Sequence, residues 1–433
     1  MGQTAMSGRG GHLLIVGGGG AAHPLLRRTF GGPASVFCSI DLLPGLQGQG
    51  NDVLVAGFAA EASDAHWLAA ADMLNSWRPV SHIAALGDRD QDRYALIAQR
   101  LGLPGPAPQT IAWMQDKAAM RRRLAEMGVD DCPCFVVADI AELRSSVAAL
   151  GLPVVCKPKA GVASRGVSLI TDLGQLEHAF AHGRGGTLAG EGTTAALPSP
   201  QLMVEPFLPG TEYSVDTLSE GGVHRCVCLA EKTSDPEHFV ELRHVLPAPL
   251  PASARNGIER KVCEMLTALG VTDGVCHTEV KLDGEHVRII ESHHRPGGDE
   301  IPHMFHDLTG IDLFALRARQ CCGETVMAEL DAALRREREQ AYGCIQFAAV
   351  RSPGVLRAVE GLAEARAMPG VVRARALLSP GHQLTGAFHS GTRAALVRAV
   401  GNSPALARER AAAAMAQVRI VVEACPQPVN DQV

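Results

Sequence analysis

The sequence predicts a protein of mixed α/β and α+β structure, and three observations predict it. Strand-like and helix-like segments alternate over residues 12–125, which favours a parallel sheet. Hairpin-like strands follow in the middle of the chain, and the last hundred residues are rich in Ala and Arg with short strands. We place an N-terminal α/β unit at 1–114, a central unit at 115–334 with a mobile lid at about 150–205, and a small C-terminal α+β unit at 335–433.

The N-terminal unit has four buried-strand candidates and two helices. Each strand is a short apolar run, and each helix has apolar residues at helical spacing. The strands are HLLIVGGGG, ASVFCSI, DVLVAGF and VSHIAALG, and the helices are DAHWLAAADMLNSW and DRDQDRYALIAQRLGL. The GGGGAA turn also matches a dinucleotide-binding pattern, with Asp41 where an acid would bind a ribose; the alternative is a tight strand–helix turn.

The composition excludes several classes of protein. The 433 residues, 46% hydrophobic and 20% charged, can bury sizeable cores. A net charge of −6 predicts no basic nucleic-acid surface, and no apolar run is long enough to cross a membrane. The N-terminal residues lack the apolar core of a signal peptide, so we expect a cytoplasmic protein. Its twelve cysteines are then reduced thiols, and none has zinc-site spacing.

The central unit opens with a helix over 113–128, a strand CFVV and a second helix, IAELRSSVAALG. A strand, a loop and another strand follow in LPVVCKPKAGVASRGVSLITD. Later come a long polar loop at 183–200, a strand pair over 201–232, a helix at 256–270 and a helix through DLFALRARQCCG. The chain ends with a helix, SPALARERAAAAMAQ, and a strand, VRIVVE.

The loop at 160–166 has the small residues Gly161, Ser164 and Gly166, which let backbone amides approach phosphate oxygens. Lys157 precedes this loop on the strand. A cation beside an anion-binding loop suits a triphosphate, and the alternative is an ordinary hairpin with a solvated lysine. No GxxxxGK[ST] segment occurs, so the chain is not a P-loop nucleotide hydrolase.

Two glutamates, Glu279 and Glu291, lie on a predicted hairpin over 275–292. A two-residue turn at Asp283–Gly284 would place them on opposite faces, whereas an odd-length loop or a bulge places them on one face. With a three-residue loop, Glu291 would pair with His277 and lie diagonally from Glu279, roughly 7–8 Å away. Two carboxylates so placed can converge on Mg²⁺. The alternative is a solvated strand edge.

The segment ESHHRPGGD predicts a turn that faces a ligand. Alternation places Glu291, His293 and Arg295 on one face and His294 on the other. The guanidinium can bind a carboxylate or phosphoryl group through two hydrogen bonds, and the two glycines let amides approach the same group. Asp299 can hold a cationic amine, or it can equally cap the next helix.

In this order, these segments resemble the ATP-grasp superfamily. The matching pieces are DKAAM, VVCKPKAGVASRGVSL, MVEPFLPGTEYSVD, HTEVKL and IIESHHRPGGDEI. The resemblance covers roughly residues 12–425. It is nearest to the carboxylate–amine ligase branch that includes L-amino-acid (dipeptide) ligases, in which RPGGD and segments like FVELRHVLPA are typical. It implies an ATP-grasp fold with an N-terminal Rossmann-like (pre-ATP-grasp) domain and a small C-terminal α+β domain.

The resemblance also implies the cofactors, ATP and Mg²⁺ (or Mn²⁺), and a role for each site residue. The residues implied to bind ATP are Lys117, Lys157, Ser164, Gly166, Glu205, Phe207, Leu208, Glu212 and Lys232. Within this group, Glu205 and the backbone near Phe207 and Leu208 would hold adenine, and Glu212 would lie near the ribose. The implied metal ligands are Glu279, Glu291 and His293, the last standing where the superfamily usually has asparagine. Arg295 and Lys157 would be catalytic, and Arg295, Gly297, Gly298 and Asp299 would face the substrate.

The expected function is an ADP-forming ligase that makes an amide or peptide bond through an acyl phosphate, with small-molecule carboxylates and amines as partners. Neither nucleic acid nor membrane is expected as a partner, and a homodimer is left open. One alternative is a biotin-carboxylase-like subunit. The other is a non-catalytic ATP-binding module, against which the complete set of lysines, glutamates and arginine argues.

Overall fold

Four β-sheets organise the computed structural model, which describes residues 11–18, 22–46, 53–161, 163–185, 201–336, 341–386 and 388–424. None of the helices in this described part has both the length and the apolar character needed to cross a bilayer.

A parallel sheet with strand order β3-β2-β1-β4 forms the N-terminal unit, as predicted. Asp41 lies in a 3₁₀ turn after β2 and forms an ion pair with Arg89 rather than standing free for a ribose. Part of the GGGGAA turn lies outside the described residues. The elements are β1 (Leu13–Val16), α1 (Ala22–Phe30), β2 (Ala34–Ser39), β3 (Leu54–Phe58), α2 (Asp64–Trp77), β4 (His82–Ala84), α3 (Gln91–Leu101) and α4 (Pro108–Gln115).

The helix predicted over 113–128 is wrong as a single element, because the chain turns at Asp116. The Asp116 carboxylate accepts hydrogen bonds from the backbone of Ala118 and Ala119, so it starts a new helix, α5 (Lys117–Glu126). This break directs Lys117, the first residue of α5, toward the cavity described below.

A second, four-stranded antiparallel sheet follows, with order β5-β8-β6-β7. Part of the predicted loop at 183–200 is instead the end of α7, and its remainder lies outside the described residues. The elements are β5 (Phe135–Val137), α6 (Ile140–Leu150), β6 (Val154–Pro158), β7 (Ser168–Ile170), α7 (Leu176–Gly185) and β8 (Leu202–Pro206).

The central sheet has eight strands in the order β13-β12-β9-β10-β11-β14-β18-β16, all antiparallel. One apolar core packs α8 against it and another packs α9, α10 and α11. The elements up to residue 334 are β9 (Thr211–Glu220), β10 (Val223–Ser234), β11 (Glu241–Leu246), α8 (Ala252–Ala268), β12 (Gly274–Asp283), β13 (His286–His293), α9 (Ile301–Thr309), α10 (Leu313–Cys321) and α11 (Met327–Leu334).

The C-terminal residues contribute three strands to this central sheet and form a small sheet of order β17-β15-β19. These three strands extend the central sheet at one edge. Its elements are β14 (Tyr342–Ala349), β15 (Gly354–Glu360), α12 (Leu362–Ala367), β16 (Val371–Ala376), β17 (Gln383–Leu384), β18 (Arg393–Gly401), α13 (Pro404–Met415) and β19 (Arg419–Glu423).

Candidate active site

A cavity of about 300 Å³ lies between the second sheet and the central sheet, with walls from the N-terminal and C-terminal units. The predicted site residues line it, with the exceptions of Gly166 and Gly297. Those on the wall are Lys117, Lys157, Ser164, Glu205, Phe207, Leu208, Glu212, Lys232, Glu279, Glu291, His293, Arg295, Gly298 and Asp299.

The hairpin of β12 and β13 brings the two glutamates directly opposite each other. A two-residue turn joins Asp283 to His286, and one extra residue in β13, Ile290, forms a bulge that restores the shared face. Glu291 therefore pairs with Glu279, and the alternative pairing with His277 through a three-residue loop is wrong. Directly opposed residues lie closer than diagonal ones, so the two carboxylates converge.

Each of these glutamates has its own lysine. Lys232 Nζ lies 2.7 Å from Glu279 Oε1, and Lys117 Nζ lies 2.9 Å from Glu291 Oε2. Burial by itself raises the pKa of both carboxyls. The charge of Lys232 nevertheless holds the pKa of Glu279 at about 2, and Lys117 holds the pKa of Glu291 well below its usual range. Two ionised carboxylates therefore face each other.

Glu205 lines the cavity, but its carboxylate belongs to an ion-pair network. Its Oε1 is 2.6 Å from Lys157 Nζ and its Oε2 is 2.9 Å from Arg121 Nε, so both oxygens are engaged. Burial raises the pKa of Glu205, but the two cations lower it to about 2. The pairing holds the Lys157 ammonium in the cavity wall, where β6 ends.

Lys232 on β10 lies among three carboxylates. Its Nζ is 2.6 Å from Glu212, 2.7 Å from Glu279 and 3.5 Å from Glu241. Burial lowers the pKa of a lysine, but these three charges raise that of Lys232 well above its ordinary value. The structure thus pairs two residues expected to contact different parts of ATP, Glu212 and Lys232.

An apolar wall adjoins these charges. Phe207 and Leu208 follow β8, and Val155 and Ile290 line the same cavity. The backbone N–H of Phe207 donates to the carbonyl of Pro153, so that amide is already engaged. A flat aromatic ring can lie against such a surface while polar groups fix its orientation.

The turn after β13 carries Arg295 into the cavity, where an N-terminal residue holds it. Arg295 Nε donates to Asp88 Oδ2 at 2.5 Å. His293 bridges Asp88 and Glu291, with Nδ1 3.3 Å from the first and Nε2 3.2 Å from the second. Burial lowers the pKa of His293, but these two carboxylates raise it. Both ring nitrogens therefore have protein partners, a different environment from that of the metal ligand expected at this position.

His294 faces away from the cavity, as alternation predicts. Its Nε2 lies 2.9 Å from the carbonyl of Asp273, and its ring lies against Gly274, where a Cβ would come within 2.5 Å of Nε2. Burial lowers the pKa of His294 to about 4, so the imidazole is neutral at neutral pH.

An Asp216–His277 pair contacts the turn that follows β13. His277 Nδ1 lies 2.7 Å from Asp216 Oδ1, and its Nε2 lies 3.6 Å from Glu279 Oε1. Asp216 also accepts a hydrogen bond from the N–H of Gly297. A Cβ at Gly297 would lie only 2.8 Å from Asp216 and His277, so glycine is required for this close approach. Gly297 thus positions the turn without lining the cavity.

Asp299 is already paired with a cation from the C-terminal unit. Arg393 contacts both of its oxygens, at 2.6 and 2.7 Å, and His244 Nε2 lies 2.8 Å from Oδ2. Its side chain does not cap α9, because the residue at the cap is Glu300. The helix-cap alternative for Asp299 is therefore wrong, and in this structure its carboxylate is paired with a cation of the protein itself.

The glycine- and serine-containing loop is held by two other segments. Ser164 Oγ donates to the carbonyl of Phe239, and the carbonyl of Ala163 accepts from the N–H of Ser390. Gly166 does not line the cavity and packs against Gly183, whose backbone would be 3.2 Å from an added Cβ. The loop thus covers the cavity next to Lys157, where an anion-binding loop is expected.

Two family descriptions match the chain at these elements. Residues 150–302, which hold Lys157, Lys232, the two glutamates and the turn, match the description "ATP-grasp domain". The chain contains an ATP-grasp domain. Residues 346–423 match "L-amino acid ligase C-terminal domain 2". The predicted ATP-grasp fold is thereby confirmed.

Several known proteins are similar to this chain. Human carnosine synthase 1 is 27% identical over 244 residues, which are 53% of this chain and 29% of that protein. The alanine–anticapsin ligase of Bacillus subtilis is 25% identical over 241 residues, 53% of this chain and 51% of that protein. The chain therefore spans about half or less of the length of these relatives.

The crystal structure of an L-amino acid ligase from Bacillus licheniformis shares the fold. The TM-score is 0.78 at 20% identity, and the match covers 96% of this chain and all of that one. The fold likeness extends over the N-terminal and C-terminal units as well as the ATP-grasp domain.

The chemistry of two site carboxylates can be compared with what a metal ion requires. No group of three or more His, Cys, Asp or Glu side chains in the described residues is arranged to hold a metal by itself. Mg²⁺, however, is usually held by one or two carboxylates together with substrate phosphates and water. The ionised, directly opposed Glu279 and Glu291 fit that requirement.

Several partners of the site were missed by the sequence reasoning, among them Asp88, Asp216 and Arg393. Asp88 follows β4 at the carboxyl edge of a parallel sheet, where ligand-binding residues gather, and this position is the one available indication. Asp216 lies mid-strand, and Arg393 is one of many arginines in an Arg-rich segment, so neither stands out without tertiary contacts.

Proposed function

We propose that this protein is an ATP-dependent, ADP-forming carboxylate–amine ligase that joins amino acids through an acyl phosphate. The observation that carries the proposal is the convergence, in one cavity, of the paired carboxylates Glu279 and Glu291 with Lys117, Lys157 and Arg295. The names of the relatives, each a ligase or synthase of amino-acid compounds, support the substrate class.

In this proposal, adenine lies against the apolar wall of Phe207 and Leu208, with Glu212 near the ribose. Lys117 and Lys157 contact the phosphates beneath the loop with Ser164 and Gly166, and Lys232 orients the carboxylates around it. Glu205 acts through Lys157, which it holds in place.

In this proposal, Glu279 and Glu291 would hold a magnesium ion. Such an ion would supply charge neutralisation at the phosphates and Lewis-acid polarisation of a phosphoryl group. His293 links Glu291 to Asp88 and so fixes the direction of that carboxylate. An ion with flexible coordination demands, such as Mn²⁺, is an alternative occupant.

The chemical problem is to bring two anions together. A carboxylate oxygen attacks the γ-phosphorus of ATP, ADP leaves, and the acyl phosphate forms. The amine nitrogen then attacks the acyl carbon, phosphate leaves and the amine loses a proton. Arg295, oriented by Asp88, lies where it can stabilise the charge on the acyl and phosphoryl oxygens. Gly298 and Asp299 complete the substrate wall next to it.

We place this reaction in the cytoplasm, with small amino acids as carboxylate and amine substrates. Eleven cysteines in the described residues form no disulfide, which fits a reducing compartment. The division into units at 1–114, 115–334 and 335–433 is part of the same proposal.

The test is ADP and phosphate release with a panel of amino-acid pairs, measured with and without bicarbonate. Stimulation by two amino acids, and trapping of the activated acid by hydroxylamine as a hydroxamate, are expected. Release of AMP and pyrophosphate would contradict the reaction class. Stimulation by bicarbonate alone would favour a carboxylase, and no release under any condition would favour a non-catalytic module.

A further inference from the structure

Two residues next to the site have an unusual backbone conformation. Asp299 and Glu300 have φ of 55° and 62°, in the left-handed region that side-chain-bearing residues rarely adopt. They directly follow the turn that carries Arg295 into the cavity. A conformation of this kind persists only where the surrounding structure holds it.

The surrounding contacts come from the C-terminal unit. Arg375 Nε lies 2.8 Å from Glu300 Oε1, and Arg398 Nε lies 3.2 Å from Glu300 Oε2, an ion pair whose angle does not make a hydrogen bond. Arg373 is more distant, at 3.7 Å, and about half exposed. These arginines lie on β16 and β18, the two strands at one edge of the central sheet. The Glu300 side chain makes no capping hydrogen bond to α9, so its role has to be sought in these ion pairs.

The arrangement concentrates positive charge on one carboxylate. Arg398 is buried, its Nη1 has no hydrogen-bond partner, and its remaining anionic partner is Asp307 at 3.2 Å. Burial and the neighbouring charges of Arg373 and Arg375 lower the pKa of Arg398. The Glu300 carboxylate offsets this repulsion and is contacted by three arginines of the C-terminal unit.

The turn itself tolerates little displacement. The N–H of Gly297 donates to Asp216 Oδ2, and no space for a Cβ exists between Gly297 and the Asp216–His277 pair. Gly298 and Gly297 connect Glu300 to Arg295 along the chain, so the position of Glu300 bears directly on this tightly packed turn. Misplacing a catalytic group by about 1 Å can cost about a hundredfold in rate.

We propose that Arg375 and Arg398 are positioning residues: by binding Glu300 they hold the left-handed Asp299–Glu300 pair and so place the Arg295–Gly298 turn in the cavity. The C-terminal unit thereby takes a direct part in arranging the site. The catalytic consequence of this role rests on the proposed ligase function, whereas the structural part does not.

The structural part is tested by hydrogen exchange measured by mass spectrometry on the full chain. In Arg375→Met and Glu300→Ala, the peptide that contains Gly297 is expected to exchange faster, while the core strands β9 and β12 exchange as in the wild type. The matched control is Arg357→Met, which removes an arginine of an exposed ion pair with Glu423 in the same unit. Wild-type exchange of the Gly297 peptide in both test variants would overturn the proposal.

The catalytic part is tested by the kinetics of amino-acid-dependent ADP release. Glu300→Ala removes the ion pairs with the arginines but leaves a Cβ that disfavours the left-handed backbone conformation. Glu300→Gly removes both the ion pairs and the Cβ, so the left-handed conformation is no longer strained. We expect kcat to fall about tenfold or more in Glu300→Ala and less in Glu300→Gly, with the KM for ATP unchanged. Arg375→Lys should recover part of the activity lost in Arg375→Met. Wild-type kcat in Glu300→Ala would overturn this role.

The two failures are distinguishable. If the wild-type chain releases no ADP with any amino-acid pair, the proposed function fails, and the exchange experiment still decides whether the arginines hold the turn. If the wild type is active and the variants match it in both measurements, only the positioning role fails.

Discussion

At the scale of single residues, the site depends on charges that stay ionised although they are largely buried. Glu279 and Glu291 are directly opposite each other on neighbouring strands, and their two negative charges repel. Lys232 and Lys117 offset that repulsion, one lysine to each glutamate. The structure thus keeps both carboxylates ready for a divalent cation.

Glu291→Gln should abolish turnover in a folded protein. The change removes one of two ligand charges at the proposed metal, which contributes several kcal/mol to lowering the barrier, so we expect a loss of at least about a hundredfold. ADP release and thermal unfolding are measured together. Glu285→Gln, an exposed change in the turn of the same hairpin, is the control. Near-normal turnover of a folded Glu291→Gln protein would remove the metal assignment.

The three basic side chains of ESHHRPGGD should respond differently to substitution. Arg295→Ala should lose most activity, chiefly in kcat, because its contacts strengthen as charge develops. His293→Asn should keep substantial activity, since an amide can still reach Asp88 or Glu291. His294→Ala should be the mildest, because that ring faces away from the cavity. The reverse order, with Arg295→Ala near wild type and His294→Ala inactive, would mean that the turn has another register in solution.

At the scale of elements, one bulge and one ion-pair network decide where the site residues point. The bulge at Ile290 reverses the face that Glu291 would otherwise take, because side chains alternate along a strand. The Glu205 network joins three elements, α5 through Arg121, β6 through Lys157 and β8 through Glu205 itself. The bulge and the network together determine which charged side chains point into the cavity.

Glu205→Ala should destabilise the protein by about 3–5 kcal/mol, because it leaves Lys157 and Arg121 buried without their counter-charge. The measurement is the midpoint of urea unfolding. Asp72→Ala breaks an exposed ion pair with Arg100 and should leave that midpoint unchanged. Equal midpoints for the two variants would show that the buried network does not stabilise the fold.

At the scale of the whole molecule, the cavity is assembled from all parts of the chain. Asp88 comes from the N-terminal unit, the lysines and glutamates from the central unit, and Arg393 from the C-terminal unit. The curated relatives match about half of the chain, whereas the fold of the L-amino acid ligase matches nearly all of it. The complete set of parts is therefore needed for the site that we describe.

Asp88→Asn tests whether the N-terminal unit contributes to the reaction. The change removes the charge that holds Arg295 Nε and lies next to His293. We expect kcat to fall about tenfold or more, with little change in the KM for ATP, since a misplaced guanidinium stabilises the transition state less well. Asp92→Asn, in α3 close to the same loop and half exposed, should behave as the wild type. If kcat is unchanged in Asp88→Asn, the N-terminal unit does not contribute to the reaction through Asp88.

The sequence by itself determined the class of fold and most of the residues of the site. Apolar period and turn residues are local properties, so the parallel N-terminal strands, α2 and the hairpin could be read directly, and the ordered motifs from DKAAM to RPGGD indicated an ATP-grasp domain. The break between two helices at Asp116 could not be predicted from the sequence. An aspartate that caps a helix and one inside a helix cannot be told apart until the path of the backbone is known.

Only the tertiary structure decided how those residues are connected. Whether Glu291 faces Glu279 depended on one bulged residue, and a shift of one residue in a strand reverses its face. Whether Glu205, His293 and Asp299 were free for ligands depended on Arg121, Asp88 and Arg393, which lie far from them in sequence. Charge pairing acts through space over a few ångströms, whereas sequence patterns report neighbours along the chain, and for that reason the partners emerged only from the folded molecule.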